Sequence, residues 1–184
     1  MKLIIFKIFV IFLFYNNIAY SQNLMVYSLG YFDVLKSATP LFWEDGYGRA
    51  FSEDNDAIDF RIESRLDKTI FDVGPDNVSL YEIKPFFGLE FTDDEAYYAL
   101  TGIYIEEKIG KKFFITPSFG GGYYDEGEGK KMGGNLQFRT TIELSREMKN
   151  NNRLGISLGH ISNANLGSSN PGVEVLSISY QVPF

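Results

Sequence analysis

Three residues that could form a hydrolase active site lie close together near the C-terminus. His160 is the only histidine, Ser162 follows it by two positions, and Glu174 follows it by fourteen. An imidazole between a hydroxyl and a carboxylate takes the serine proton as a general base, while the carboxylate fixes the tautomer and stabilises the imidazolium. Taken singly, His160 would be a structural strand-end histidine and Glu174 a solvated carboxylate. Their relative placement therefore decides between the two interpretations.

The elements that position these residues are strands with two different faces. In residues 58–65 and 136–144, apolar and polar side chains alternate with period 2, as in a strand whose faces meet different surroundings. Eight such strands are predicted, over residues 24–35, 57–66, 81–91, 96–107, 112–122, 135–147, 153–164 and 173–184.

Composition favours a membrane barrel over a soluble sandwich. The chain has 17 Phe and 12 Tyr, and no run after Ser21 approaches the roughly 20 apolar residues of a membrane helix. A small barrel turns its apolar face to lipid and its polar face inward. The last residues, Tyr180 to Phe184, resemble the C-terminal signature of bacterial outer-membrane barrels. We therefore predict an all-β, eight-stranded antiparallel outer-membrane β-barrel, with a soluble periplasmic β-protein as the alternative.

The N-terminus has the features of a secretory signal. Residues 1–21 contain a basic start, an apolar run and small residues before Gln22. We expect cleavage after Ser21, with an uncleaved anchor as the alternative, so that residues 22–184 form one barrel domain. Without Lys2 and Lys7, 15 basic and 24 acidic residues remain, a formal charge of −9, which argues against nucleic acid. The chain has no cysteine, which excludes disulfides and thiolate chemistry.

The connections predict one orientation. With Phe184 on the periplasmic side, the outer loops are 36–56, 92–95, 123–134 and 165–172, and the inner turns are 67–80, 108–111 and 148–152. The first inner turn is long and could hold a short helix or an interfacial loop. Pro85 and Pro117 each remove a donor from the strand ladder.

The inward faces predict a barrel-filling network of ion pairs. Its expected members are Asp59, Arg61, Glu63, Arg65, Glu82, Lys84, Glu90, Arg139 and Glu143. A pore or a ligand site among these charges is the alternative, which the little space inside eight strands disfavours. No metal-ligand cluster or phosphate loop is visible, so neither a metal nor a cofactor is predicted.

The same alternation places the three candidate residues on the lipid-facing surface. His160 and Ser162 share the parity of the apolar residues of their strand, and Glu174 shares that of Leu176 and Ile178. If Ser162 is paired with Glu174, His160 lies diagonal to Glu174 and within roughly 5–8 Å. All three adjoin the predicted outer loop, where a carboxylate facing lipid costs little.

The run HISNANLGSSNPGVEVLSISYQVPF closely resembles the C-terminal hairpin of the lipid A 3-O-deacylase (PagL) family. The resemblance implies an eight-stranded outer-membrane barrel that hydrolyses the ester-linked 3-hydroxyacyl chain at position 3 of lipid A. It implies His160, Ser162 and Glu174 as the catalytic triad and Asn163 on the oxyanion side. Asn165 stands where the family commonly has glycine, and its backbone N–H could help to hold the oxyanion.

The resemblance continues upstream in the runs IKPFFGLE, TPSFGGGYY and LQFRTTIEL. It implies lipid A or lipopolysaccharide as substrate, outer-membrane lipid as surroundings and the barrel assembly machinery as a partner that recognises Phe184. A homodimer that covers the catalytic face is a further hypothesis. The alternative function is a non-catalytic small barrel with a structural or adhesive role.

Overall fold

The computed structural model describes residues 22–34, 57–75 and 80–184. The predicted signal peptide, residues 1–21, and the predicted loop 36–56 lie outside the described residues. Ten strands are present in the described part: β1 (Leu24–Phe32), β2 (Ala57–Arg65), β3 (Phe71–Val73), β4 (Tyr81–Thr92), β5 (Tyr97–Tyr104), β6 (Glu107–Ile109), β7 (Phe113–Asp125), β8 (Leu136–Glu147), β9 (Arg153–Ser162) and β10 (Val173–Pro183).

Eight of these strands close into an antiparallel barrel. Around the barrel the order is β1, β2, β4, β5, β7, β8, β9 and β10, and β10 pairs with β1. The predicted fold and strand count are confirmed, with strand ends shifted by a few residues. Within the described residues no helix is long and apolar enough to cross a membrane.

The barrel has an apolar outer surface and an interior that holds many polar and charged side chains beside a cluster of buried apolar ones. In β2, Ile58, Phe60 and Ile62 are exposed, while Asp59 and Arg61 between them are buried. The same inversion recurs in β8, β9 and β10. It is the pattern of a barrel whose outer face meets lipid, and a soluble sandwich would show the opposite.

Buried ion pairs fill the interior, as predicted. Glu63 lies between Arg65, at 2.7 Å, and Arg139, and Arg65 also reaches Glu143 at 2.6 Å. Glu90 binds Arg139 and lies 3.6 Å from Arg61. Because β2 and β8 lie across the barrel from each other in the strand order, the network ties opposite walls together.

Three members of the predicted network have other surroundings. Asp59 is buried, and neither of its carboxylate oxygens has a hydrogen-bond partner among the described residues. Glu82 lies at the inner end of β4, exposed, 3.1 Å from Lys84, which also binds Asp67. Since the strand alternation shows only which face a residue takes, it could not separate these positions from the network.

The inner end differs from expectation in the 67–80 segment. Its described residues, 67–75 and 80, contain the short strand β3, which pairs with residues Tyr81–Ile83 at the start of β4, and no helix. A strand of three residues is too short to give a recognisable alternation. The two prolines lie where pairing with one neighbour stops: the β2–β4 ladder ends beside Pro85, and the β5–β7 ladder ends beside Pro117.

Candidate active site

The hairpin of β9 and β10 positions the candidate triad. His160 is directly opposite Glu174, and the ladder ends at the pair Ile161 and Val173. The assumed pairing of Ser162 with Glu174 is therefore wrong by two residues, because the unpaired loop begins at residue 162, two residues earlier than that pairing implies. A shift by two keeps every side chain on its predicted face, so His160 and Glu174 still point outward together.

His160 and Glu174 form a hydrogen-bonded pair on the outer surface. Nδ1 of His160 lies 3.0 Å from Oε1 of Glu174, with side chains 51% and 30% exposed. A carboxylate at Nδ1 favours the tautomer that carries its proton there. Nε2 is then the nitrogen with a free lone pair, which is what a general base for a hydroxyl requires.

Gly172 makes room for the imidazole. Its φ is +65°, and a Cβ at this position would lie 3.1 Å from Cε1 and 3.8 Å from Nε2 of His160. Continuing the ladder by one step places Gly172 opposite Ser162. The Nε2 side of the ring therefore faces the end of the hairpin that carries the serine. This contact depends on the path of the loop, so the alternation of the strands does not predict it.

Ser162 is the last residue of β9, and it is half-buried. It lies two residues after His160, so the two side chains leave the strand on the same side. Among the described residues it forms no hydrogen bond with His160. Its partner on the other neighbouring strand is Phe138 of β8. Hydrogen bonds of this kind commonly shorten only in the complex with substrate.

Asn163 points into the barrel, as its parity predicted. The side chain is 1% exposed, and its Nδ2 donates to the carbonyls of Met132, at 2.8 Å, and Ser169, at 2.6 Å. Its Oδ1 accepts the main-chain N–H of Asn165 at 2.9 Å. The amide of Asn163 is thus fully engaged in holding the loop of residues 163–172, here named the site loop.

Asn165 occupies its position in a left-handed conformation. Its φ is +63°, and that of Ala164 is +52°. Asparagine adopts this region more readily than other non-glycine residues, which explains how it can stand where glycine is common. Its Oδ1 accepts a hydrogen bond from Nδ2 of Asn170 at 3.2 Å. Oδ1 of Asn170 in turn accepts a hydrogen bond from the main-chain N–H of Asn163 at 3.1 Å. These bonds fold the site loop back on itself.

A neighbouring loop, residues 126–135 between β7 and β8, supports the site loop. Besides the bond from Asn163 to Met132, the carbonyl of Gly133 accepts the N–H of Ser168 at 2.8 Å. Gly133 has a φ of +77°, and a Cβ there would collide with the carbonyl of Ser169. Strand alternation does not predict this contact, because the residues that meet are more than thirty positions apart and lie in loops.

The outward surface around the triad is apolar. Phe138 and Phe119 stack with ring centroids 6.1 Å apart and an interplanar angle of 5°. Leu158 and Leu176 lie one outward position below His160 and Glu174 and are exposed. This surface suits acyl chains, and the triad lies at its outer edge. In the described part of the chain, no group of acidic or histidine side chains is placed to hold a metal ion.

Comparison with known proteins finds a family whose model matches this chain. The model of the lipid A 3-O-deacylase (PagL) family matches residues 73–183. A curated relative named lipid A deacylase PagL, from Bordetella bronchiseptica, is 32% identical over 81 residues, which are 44% of this chain. The match spans 41% of that relative's length.

Solved structures share the fold. The crystal structure of the outer membrane enzyme PagL aligns with a TM-score of 0.61 at 16% identity, covering 88% of this chain and 99% of the other. A de novo designed transmembrane β-barrel aligns with a TM-score of 0.52 at 10% identity, covering 88% and 96%.

Proposed function

The chain belongs to the lipid A 3-O-deacylase (PagL) family, and on this premise we propose that it hydrolyses the ester-linked 3-hydroxyacyl chain at position 3 of lipid A. It is a bacterial outer-membrane protein, a β-barrel whose apolar surface faces lipid. The proposed substrate is thus the lipid that surrounds the protein.

In the proposed mechanism, Ser162 Oγ attacks the ester carbonyl while Nε2 of His160 takes its proton. Glu174 holds Nδ1–H and stabilises the imidazolium. The sugar hydroxyl leaves with the proton returned by His160, and an acyl group remains on Ser162. Water, activated by the same imidazole, then releases the fatty acid.

The observation that carries the proposal is the His160–Glu174 hydrogen bond on the outer face, at 3.0 Å. A carboxylate and an imidazole that only filled space would lie in the polar interior. Their position beside the site loop keeps the cost of facing lipid low, since that cost falls toward the membrane interface. An ester bond near the lipid headgroup would lie at the same depth.

For the oxyanion we propose the main chain of residues 163–165. The side chain of Asn163 is engaged with Met132 and Ser169, which leaves it the task of positioning the turn. The N–H of Asn165 is held by a single bond to Asn163 Oδ1. An oxyanion that replaced this acceptor would gain a donor that is already oriented.

We also propose two protein partners, the barrel assembly machinery and a second copy of this chain. Phe184 is 63% exposed, next to the β1–β10 seam, where the barrel assembly machinery could recognise it. A homodimer that covers the triad would block access to lipid, and crosslinking in intact membranes that captures only active dimers would contradict that role.

The proposal is tested by mass spectrometry of lipid A from cells that express the protein. We expect the wild type to remove one 3-hydroxyacyl chain, and Ser162→Ala to remove none. Ser64→Ala is the matched control, because Ser64 is also outward on the barrel but at its inner end. His160→Ala should lower turnover by roughly 10²–10⁴-fold, the usual contribution of a positioned base.

Heat-modifiable migration on a gel verifies that each variant forms a folded barrel. Identical lipid A spectra from folded wild type and folded Ser162→Ala would exclude the esterase. The protein would then fit the alternative of a non-catalytic barrel.

A further inference from the structure

The rim of the barrel beside the site loop carries charge that the proposed chemistry does not use. At the outer end, the described connections between strands contain six acidic residues: Asp33, Asp93, Asp94, Glu95, Glu126 and Glu128. The described part of these loops contains only two lysines, Lys130 and Lys131. An acidic rim repels an anionic headgroup, so the placement of the two cations matters.

The two lysines have different surroundings. Lys130 Nζ is 2.5 Å from Asp33, and its side chain is 14% exposed, so its charge is neutralised across the barrel mouth. Lys131 is exposed and forms no ion pair with any described residue. The remaining cations of residues 57–75 and 80–184 lie inside the barrel or toward its inner end. Lys131 is thus the one exposed, unpaired cation that this part of the chain presents at the outer end.

The backbone next to Lys131 is fixed against the site loop. The carbonyl of Met132 accepts Nδ2 of Asn163 at 2.8 Å, and that of Gly133 accepts the N–H of Ser168 at 2.8 Å. Met132 is itself buried. Lys131 therefore stands on a rigid support one residue from a direct contact with Asn163, which follows Ser162 in the chain.

We propose that Lys131 is a specificity-determining residue that binds an anionic group on the headgroup of the substrate while the acyl ester lies at Ser162. The inference rests on the proposed function and deepens it. An ammonium group on a flexible stem binds phosphate as a point charge. The anion is a phosphate of the acylated disaccharide or a carboxylate of an attached sugar acid, both of which lie above the acyl esters.

The test compares purified variants on three substrates: phosphorylated lipid A, the same lipid A after enzymatic removal of phosphate, and core-bearing lipopolysaccharide. The variants are Lys131→Ala, Lys131→Arg and Lys131→Glu. Lys111→Ala is the matched control, because Lys111 is an exposed lysine in the turn before β7 at the inner end. Steady-state rates give kcat and KM separately.

We expect Lys131→Ala to lower kcat/KM by roughly tenfold, mostly through KM, as for a lost charge-assisted hydrogen bond. Lys131→Glu should lower it further, Lys131→Arg should restore it, and Lys111→Ala should match the wild type. A loss on phosphorylated but not dephosphorylated lipid A identifies phosphate as the anion. A loss confined to core-bearing substrate identifies the carboxylate.

The inference is overturned if an active wild type and its Lys131 variants differ by less than twofold on every substrate, or if all three substrates lose activity equally. A wild type inactive on all three would instead contradict the proposed function. Binding of the same lipids to Ser162→Ala protein in detergent gives a readout independent of turnover. There, Lys131→Ala should weaken binding of the anionic lipid. Added salt should reduce the difference in affinity between the proteins with and without Lys131, and a difference that does not change with salt would also count against the inference.

Discussion

Asn165 shows how a single residue can depart from a family pattern and keep the local backbone. Its φ of +63° is the conformation that glycine adopts at no steric cost, and asparagine is among the few other residues that tolerate it. The substitution therefore need not disturb the main-chain N–H that we assign to the oxyanion. It also adds a side chain that accepts Nδ2 of Asn170.

We expect Asn165→Gly to keep activity within about threefold of wild type, because the turn retains its φ and its N–H. Asn165→Val should lose activity strongly, because a β-branched residue is a genuine outlier at positive φ. Release of 3-hydroxy fatty acid from lipid A by both folded variants measures the difference. Equal activity of Asn165→Val and Asn165→Gly would show that the left-handed turn is not needed.

The face that each site residue occupies could be predicted from the sequence, but the contacts made by the loop could not. The parity of the apolar positions placed His160 and Glu174 on one face, because strand side chains alternate with a period of two. The same rule placed Asn163 inside. It could not show that Gly172 borders the imidazole, because that contact depends on the path of the loop rather than on the strands.

At the scale of elements, the hairpin register was the main error. Pairing Ser162 with Glu174 assumed that the ladder continues into the loop, whereas it ends at Ile161 and Val173. Register depends on where a loop closes, and the site loop closes through side-chain bonds among Asn163, Asn165 and Asn170. The alternation of apolar and polar residues does not encode those bonds. It therefore predicted which face of the strand each residue occupies, but not which residue lies opposite Glu174.

The contact between the two outer loops should matter for activity more than for folding. Gly133→Ala would place a Cβ against the carbonyl of Ser169 at a φ of +77°, which must displace the site loop. We expect at least about a tenfold loss of lipid A deacylation with the barrel still folded.

Gly110→Ala is the control for that prediction, because it has the same kind of backbone strain, with a φ of +66°, but no atom within 4 Å of the added Cβ. It lies in the turn before β7, at the other end of the barrel. Heat-modifiable migration and deacylation are measured for both variants. If Gly110→Ala lost as much activity as Gly133→Ala, general strain rather than the loop contact would be responsible.

At the scale of the whole molecule, the inversion of polarity was predictable because it recurs in several long strands, among them β2, β8, β9 and β10. All strands of a barrel have the same side facing lipid, so a few exceptional residues do not change the conclusion. The detailed pairing of the interior charges was not predictable. It depends on which side chains meet across the barrel, as Arg65 of β2 meets Glu143 of β8.

Glu63 lies at the centre of that interior, between Arg65 and Arg139. Glu63→Ala removes the carboxylate and leaves two buried guanidinium groups with one partner fewer each. Breaking a buried ion pair by removing one partner costs about 3–5 kcal/mol. We expect a loss of that size in the free energy of unfolding, measured by urea titration in lipid vesicles with circular dichroism.

Glu82→Ala is the matched control, because Glu82 is an exposed glutamate whose contact with Lys84 lies at the rim. We expect a loss of only about 0–1 kcal/mol, because Glu82 is itself exposed and Lys84 keeps its second partner, Asp67. Equal losses for the two variants would mean that the interior network does not stabilise the barrel. The triad lies on the outer face of strands that this network supports from the inside. Glu63→Ala should therefore reduce deacylation only under conditions where the barrel begins to unfold. Ser162→Ala, in contrast, should abolish deacylation in a fully folded barrel.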